Sequence, residues 1–170
     1  MAPKNLPARP TTDYAKESLF NILHNEVDWA STTVIDLFAG IGSISLEALS
    51  RGAQRCDFVD TDQHAIDAIG QNLRSLGATE RATLRTCQAD TVLTGGSQWD
   101  IVFVDPPFEA GLGNALLSRL AASQCLSEDG LVYFETRRSS PEPVPEQHYE
   151  IYREKTAGDV CFRLLKFRSA

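Results

Sequence analysis

Thr33-Val34-Ile35-Asp36-Leu37-Phe38 runs directly into Ala39-Gly40-Ile41-Gly42, and that turn into Ser43 to Arg51. The first segment is apolar, β-branched and of strand length, so it reads as a buried strand. The glycines mark a tight turn, and the third segment is a helix ended by Gly52. A strand that passes through a glycine turn into a helix opens a parallel sheet covered by helices. The same alternation then repeats along the chain. Cys56-Asp57-Phe58-Val59-Asp60 is a second strand, followed by a helix capped by Asp62, with Ile66, Ile69, Leu73 and Leu76 as its stripe before Gly77. Ala82 to Cys87 is a third strand, Asp100 to Val104 a fourth, Leu112 to Ser123 a helix, and Gly130 to Glu135 a fifth strand. The two prolines of Asp105-Pro106-Pro107-Phe108 must end the fourth strand, because proline cannot donate to a central ladder.

The flanks complete the picture. Residues 1–12 are an extended, Pro-rich lead, after which Thr12 or Asp13 can cap a helix with Ala15, Leu19, Ile22 and Leu23 on one face. Residues 139–147 read as a loop. Tyr149 to Lys155 and Val160 to Phe167, joined through Ala157-Gly158-Asp159, form a C-terminal β-hairpin over 148–168. The fold expected is α/β, Rossmann-like, with a mostly parallel seven-stranded sheet in the order 3-2-1-4-5-7-6 and helices on both faces. A length of 170 residues and no boundary in composition suggest a single domain over 1–170.

Composition narrows the classes of function. The chain is 42% hydrophobic and 23% charged, ordinary for a globular protein, which excludes whole-chain disorder, collagen and coiled coil. No apolar run approaches the ~20 residues that span a bilayer, and Met1 to Pro7 has no apolar signal core, so a cytoplasmic location without membrane contact is expected. Cys56, Cys87, Cys125 and Cys161 lie too far apart for a zinc site and read as small buried hydrophobes. His24, His64 and His148 carry no ligand spacing and are expected at the surface, and no metal is expected. The net charge of −7 is uneven: residues 1–20 carry +1, 21–136 carry −10 and 137–170 carry +2. A polyanion should therefore approach near the two ends of the chain, over Arg9, Lys16, Arg137 and Arg138.

In open parallel sheets the ligand sits beyond the carboxyl ends of the strands, and the polar residues of this chain gather there. Gly40 and Gly42, with Phe38 and Ala39, let the backbone approach a ligand at a helix N-terminus. The dinucleotide fingerprint wants a third glycine where Ser45 stands, and no Gly-Lys-Ser/Thr follows, so neither a nicotinamide nor a Walker-type phosphate site is indicated. Asp36 would repel a pyrophosphate yet suits a cationic ligand, such as the amino acid part of S-adenosylmethionine. Asp60, followed by Thr61, can accept hydrogen bonds from both ribose hydroxyls. Gln88, ahead of Ala89, or Asp90 can pair an adenine amino group, or either can be a plain turn residue.

Asp105-Pro106-Pro107-Phe108 points to the chemistry. An aromatic exocyclic amine is a poor nucleophile, because its lone pair is delocalised into the ring. The Asp105 carboxylate and the Pro106 carbonyl can accept both N–H bonds, favouring a pyramidal nitrogen with its lone pair aimed at an electrophile. The prolines fix φ and hold these acceptors. Phe108 can stack on a base swung out of its helix.

Together, Asp36 to Gly42, Asp60 and Asp105 to Phe108 resemble the ordered motifs of class I S-adenosylmethionine-dependent methyltransferases of the amino-methylating branch. More narrowly, Arg9-Pro10-Thr11-Thr12-Asp13, Lys16 to Asn21, Leu46 to Ala53 and Glu154-Lys155 with Gly158 are similar to the bacterial ribosomal small-subunit methyltransferase D family. That resemblance implies methylation of guanine N2 in 16S ribosomal RNA, with S-adenosylmethionine as donor and the RNA or the assembling small subunit as partner. It implies a donor site of Thr12, Asp36, Phe38, Ala39, Gly40, Gly42, Asp60, Thr61, Gln88, Ala89 and Asp105, with Asp105, Pro106, Pro107 and Phe108 as catalytic residues, in a monomer. Two departures stand out. Gln88 replaces the family's usual Asp or Asn. The basic β-hairpin that usually precedes the Pro-rich lead is not in this sequence, so weak RNA binding beside an intact donor site is expected. Two alternatives remain: a DNA adenine-N6 or cytosine-N4 methyltransferase, and a non-catalytic protein that keeps the fold to bind a partner.

Overall fold

The computed structural model describes residues 10–107 and 111–168, with side chains from residue 13 onward. Four helices and seven strands follow in chain order: α1 (Pro10–Leu23), β1 (Thr33–Asp36), α2 (Ser43–Ser50), β2 (Arg55–Asp60), α3 (Gln63–Leu76), β3 (Ala82–Thr86), β4 (Trp99–Val104), α4 (Leu112–Ser123), β5 (Leu126–Arg137), β6 (Tyr149–Ala157) and β7 (Val160–Phe167). Short 3₁₀ turns occupy 29–31, 79–81 and 89–92. The strands form one sheet in the order β3-β2-β1-β4-β5-β7-β6. The first five are parallel, and β7 runs antiparallel between β5 and β6. This is the Rossmann-like methyltransferase order expected above.

Alternation of side chains divides the core into two layers. Val34, Cys56, Phe58, Ile101, Phe103 and Tyr133 face α1, α2 and α3, whereas Ile35, Val59, Val102, Val104, Val132 and Phe134 face α4. Three helices thus cover one face. The other is closed by α4 together with Ala89 and Leu93 beside a 3₁₀ turn, and Val144 from the loop after β5. Each fully buried Leu, Ile or Phe contributes roughly 1.5–3 kcal/mol from water exclusion. Asp62 caps α3 by accepting the His64 N–H at 2.9 Å, and Gly77 ends it at φ 66°.

The structure revises several expectations. Helix α1 starts at Pro10, so the end of the supposed extended lead belongs to its first turn, where proline's missing N–H costs nothing. Leu76 is 55% exposed although it lies only about 20° from buried Ile69 around the helix, because it is the last residue of α3 and the helix end runs past the core. Strand β1 is two residues shorter than read, with Leu37 and Phe38 already in the turn. Strand β5 begins earlier, at Leu126. Trp99 pairs with Leu126 and Ile101 with Leu131, so the turn-like residues 127–130 are absorbed as an irregularity inside the strand. His24, His64 and His148 are exposed; Cys56, Cys125 and Cys161 are buried, while Cys87 is half-buried.

Candidate active site

A cavity of about 1120 Å³ opens at the carboxyl ends of the parallel strands. Of the residues expected in the site, Phe38, Asp60, Thr61, Gln88, Ala89, Asp105, Pro106 and Pro107 line it. Asp36, Ala39, Gly40 and Gly42 form the turn beside it without facing the cavity. Thr12 lies in the first turn of α1, where only the backbone is described. Arg9 and Phe108 lie outside the described residues.

The glycine turn is built by backbone geometry and one carboxylate. Gly40 and Gly42 have φ of 54° and 78°, the left-handed region that favours glycine. A Cβ on Gly42 would also stand 3.0 Å from Ile69 of α3, so two independent constraints select glycine there. The Asp60 carboxylate accepts the Gly40 N–H at 2.8 Å through Oδ2 and the Asp62 N–H at 2.9 Å through Oδ1. Asp60 therefore ties the glycine turn to the end of β2, a role the sequence reading missed, and its remaining lone pairs face the cavity.

Asp36 is 4% exposed beneath this turn. Ser45 donates to its Oδ2 at 2.9 Å and the Phe38 N–H to its Oδ1 at 3.3 Å. Ser45, at the position where a dinucleotide fingerprint wants glycine, thus serves the carboxylate beneath the turn. Burial dominates over these bonds and raises the Asp36 pKa to about 6. The Lys16 ammonium donates to Ser43 Oγ at 3.2 Å at the start of α2. It is half-buried against this turn rather than projecting from the surface as expected.

On the far side, Ala89, Leu112 and Leu116 give an apolar wall, with Gln88, Asp90 and Arg119 at its edge. The 3₁₀ turn at 89–92 is closed by the Gln88 and Asp90 carbonyls, accepting from Thr91 at 3.1 Å and Leu93 at 3.2 Å. The Gln88 side chain makes no cap bond, which leaves it open to a ligand.

Asp105 stands at the end of β4 and Glu135 near the end of β5. The register pairs Phe103 with Tyr133 and Val104 with Phe134, so Asp105 and Glu135 are the next matching pair. Both carboxyl groups line the cavity side by side, and Tyr133 Oη donates to Glu135 Oε2 at 3.0 Å. Burial, then the Glu135 charge, then Asp36 push Asp105 well above the carboxylate range. Burial likewise raises Glu135, against the hydrogen bonds from Tyr133 and Asp105. Two close carboxyls cannot both ionise readily, so this pair retains a proton. Glu135 was absent from the expected site, since thirty residues separate it from Asp105; an acidic residue ending an apolar strand was the available signal.

Exposed Arg137 and Arg138 follow Glu135 at the end of β5. Arg137 pairs with Val160, and the Arg138 N–H donates to the Asp159 carbonyl at 2.8 Å. Asp159 and Val160 line the cavity, which places both arginines beside its mouth. Among the described residues no group of His, Cys, Asp and Glu could hold a metal ion.

Comparison with known proteins agrees with this geometry. The family profile described as "Conserved hypothetical protein 95" matches residues 1–166. Ribosomal RNA small subunit methyltransferase D of Escherichia coli (strain K12) is 33% identical over 156 residues, spanning 92% of this chain and 78% of the relative. Its namesake in Haemophilus influenzae is 34% identical over 160 residues, spanning 92% and 81%. The solved structure of yhhF from Escherichia coli superposes with a TM-score of 0.83 at 33% identity, covering 96% of this chain and 90% of that one. A ribosomal protein L11 methylase from Lactobacillus delbrueckii subsp. bulgaricus reaches 0.74 at 18% identity over 92% and 80%, a likeness of fold alone. With a third of its residues shared across nearly its whole length, this chain belongs to the ribosomal RNA small subunit methyltransferase D family.

Proposed function

We propose that this protein transfers a methyl group from S-adenosylmethionine to the exocyclic N2 amine of a guanine in 16S ribosomal RNA, on the free RNA or the assembling small subunit. Its reading as a cytoplasmic monomer goes with that substrate. The observation that carries the proposal is Asp105, with Pro106 and Pro107, at the end of β4, facing a cavity whose opposite rim holds Asp60. The names of the relatives supply the RNA.

The cavity suits the donor on chemical grounds. Asp36, buried without a cation, favours the cationic methionine end. Asp60 suits the ribose hydroxyls, and the apolar wall of Ala89 and Leu116, edged by Gln88, suits adenine. The bound donor supplies a methyl group on a sulfonium, an electrophile that needs no metal. Asp105 and the Pro106 carbonyl accept the two amine N–H bonds and direct the nitrogen lone pair at that carbon. Holding donor and acceptor at near-attack distance supplies most of the rate. Phe108 stacks on the flipped base. Arg137 and Arg138, with Arg9, neutralise flanking phosphates, and Lys16 braces the glycine turn.

The test is methylation of ribosomal RNA from a strain lacking the gene, followed by nucleoside mass spectrometry. N2-methylguanosine in the small-subunit RNA is the expected product. Methyl groups only on adenine N6 or cytosine N4 of DNA would replace this reading with the DNA-directed one. Failure to bind S-adenosylhomocysteine in calorimetry would favour the non-catalytic one.

A further inference from the structure

The amine-positioning role asks Asp105 to accept a hydrogen bond from the substrate, yet Asp105 is packed against a second carboxyl. Its nearest neighbours are acidic or aromatic, while Arg119 lines the same cavity and Arg137 and Arg138 follow Glu135 at its mouth. Glu135 lies beside it on β5, Asp36 beyond it on β1, and Asp159 at the β6–β7 turn lines the same cavity. Tyr133 donates to Glu135 from one strand step away. On β7, the residue opposite Glu135 is Phe162, and its neighbour Arg163 is committed to Glu154 at 3.0 Å and to the Glu142 carbonyl at 2.7 Å. On α1, Lys16 is held by Ser43. Among the described residues, no Lys, Arg or His forms an ion pair with Asp105 or Glu135.

Building on the amine-methylating reading, we propose that Glu135 is a positioning residue: it shares one proton with Asp105, and so orients the Asp105 carboxyl with a free lone pair toward the substrate amine. Tyr133 holds Glu135 from behind. Glu135 is 5% exposed, so its carboxyl is largely withdrawn from water even where it borders the cavity. The singly protonated pair carries one negative charge, which matches the one positive charge of a sulfonium donor.

The proton balance follows. The N2 lone pair forms the N–C bond, and the C–S bond breaks with its electron pair left on sulfur. The positive charge passes to the amine, and one N–H proton moves to Asp105. The carboxyl pair then holds two protons and no net charge beside a neutral thioether. One proton returns to water as product leaves the open mouth. The upward shift of both groups favours keeping the shared proton, which is lost as the pH rises.

The experiment uses the full chain, with Glu135→Gln, Glu135→Ala and Tyr133→Phe variants. Carboxyl-carbon NMR of the free protein should show Asp105 and Glu135 titrating together in two steps, and Asp105 in a single step in Glu135→Gln. This measurement needs no RNA. Single-turnover methylation of small-subunit RNA at saturating donor should then show an alkaline limb in the wild type that Glu135→Gln lacks, because its amide still donates to Asp105 but has no proton to lose. Glu135→Ala should slow turnover by at least about tenfold, with S-adenosylhomocysteine affinity within about twofold. Tyr133→Phe should fall between Glu135→Gln and Glu135→Ala. Independent titration of the two carboxyls near ordinary values would overturn the proposal, as would an unchanged rate and pH profile in Glu135→Ala. If the wild type forms no N2-methylguanosine, the functional reading fails, while the titration still decides whether the proton is shared.

Discussion

Two sets of carboxyls occupy one sheet and are treated in opposite ways. Asp57, in the middle of β2, is fully buried, yet every oxygen is answered. Arg55 reaches over it with Nε at 3.0 Å and Nη2 at 2.8 Å, and Trp99 donates its indole N–H at 2.9 Å from β4. Asp36, Asp105 and Glu135, near the carboxyl ends of β1, β4 and β5, have no cation among the described residues. They stand on one face of the sheet and lean on one another, a hydroxyl and a tyrosine. Asp36 and Glu135 are about as deeply buried as Asp57, and Asp105, which lines the cavity, is half-buried. What differs is whether the chain supplies the opposite charge. Where it does, the carboxylate is architecture; where it does not, the fold has left a place for a cationic ligand.

The sharpest way to break the comparison is Asp105→Ala. If Asp105 acts on the amine, turnover should fall at least about a hundredfold, as for other lost transition-state contacts. Donor binding, read by calorimetry, should be largely intact. Near-normal turnover would make Asp105 as architectural as Asp57. The reciprocal change is Arg55→Ala, which strips the cation from Asp57. Half of the arginine side chain is in water, so a loss of about 2 kcal/mol of stability is expected rather than the full ~3–5 of a buried pair. Methylation below the melting transition should be unchanged. Chemical denaturation gives the first number and single-turnover assay the second.

Asp36→Asn sharpens the contrast through pH. A carboxyl held at about 6 rather than 3.8 is roughly 3 kcal/mol harder to ionise in the fold. The folded state then binds more protons than the unfolded one between those values, so stability falls as pH rises across that window and is level above it. The asparagine variant should lose this slope. Above pH 6.5 it should melt several degrees higher than the wild type without donor, while binding the donor at least about tenfold more weakly. A variant whose melting temperature follows the wild-type pH curve would remove Asp36 from the group waiting for a cation. Arg138→Ala is the mildest change. It should weaken RNA binding modestly and lower the log–log salt slope by about 0.7–0.9, with S-adenosylhomocysteine affinity untouched.

Much of this was legible along the chain. Strand period, glycine turns and the cap at Asp62 act within a few residues, and each left a local signature at its correct place. The site was legible as far as it is made of strand ends. Asp36, Asp60 and Asp105 each follow an apolar run, where a charged residue is conspicuous. Glu135 and Asp57 were missed for one reason: their meaning depends on a neighbour in the sheet. Asp57 pairs with Trp99 across 42 positions, and Glu135 meets Asp105 through the register of β4 on β5. The start of β5 at Leu126, ahead of the Gly130 read from sequence, was missed for the same cause, since only pairing with β4 reveals it. Lys16 looked like a surface cation because nothing nearby in sequence announces Ser43.

The sheet order carries a consequence for synthesis. Strand β7 is made after β5 and β6, yet it lies inside the sheet, between them. Until it arrives, β5 presents an unpaired edge that includes Val132, Tyr133 and Phe134, and β6 has nothing to dock against. The nascent chain therefore keeps this apolar edge open until β7 has emerged. A chain that stopped before Val160 would keep its donor-side motifs, and would be marked for aggregation or proteolysis by the strand it lacks.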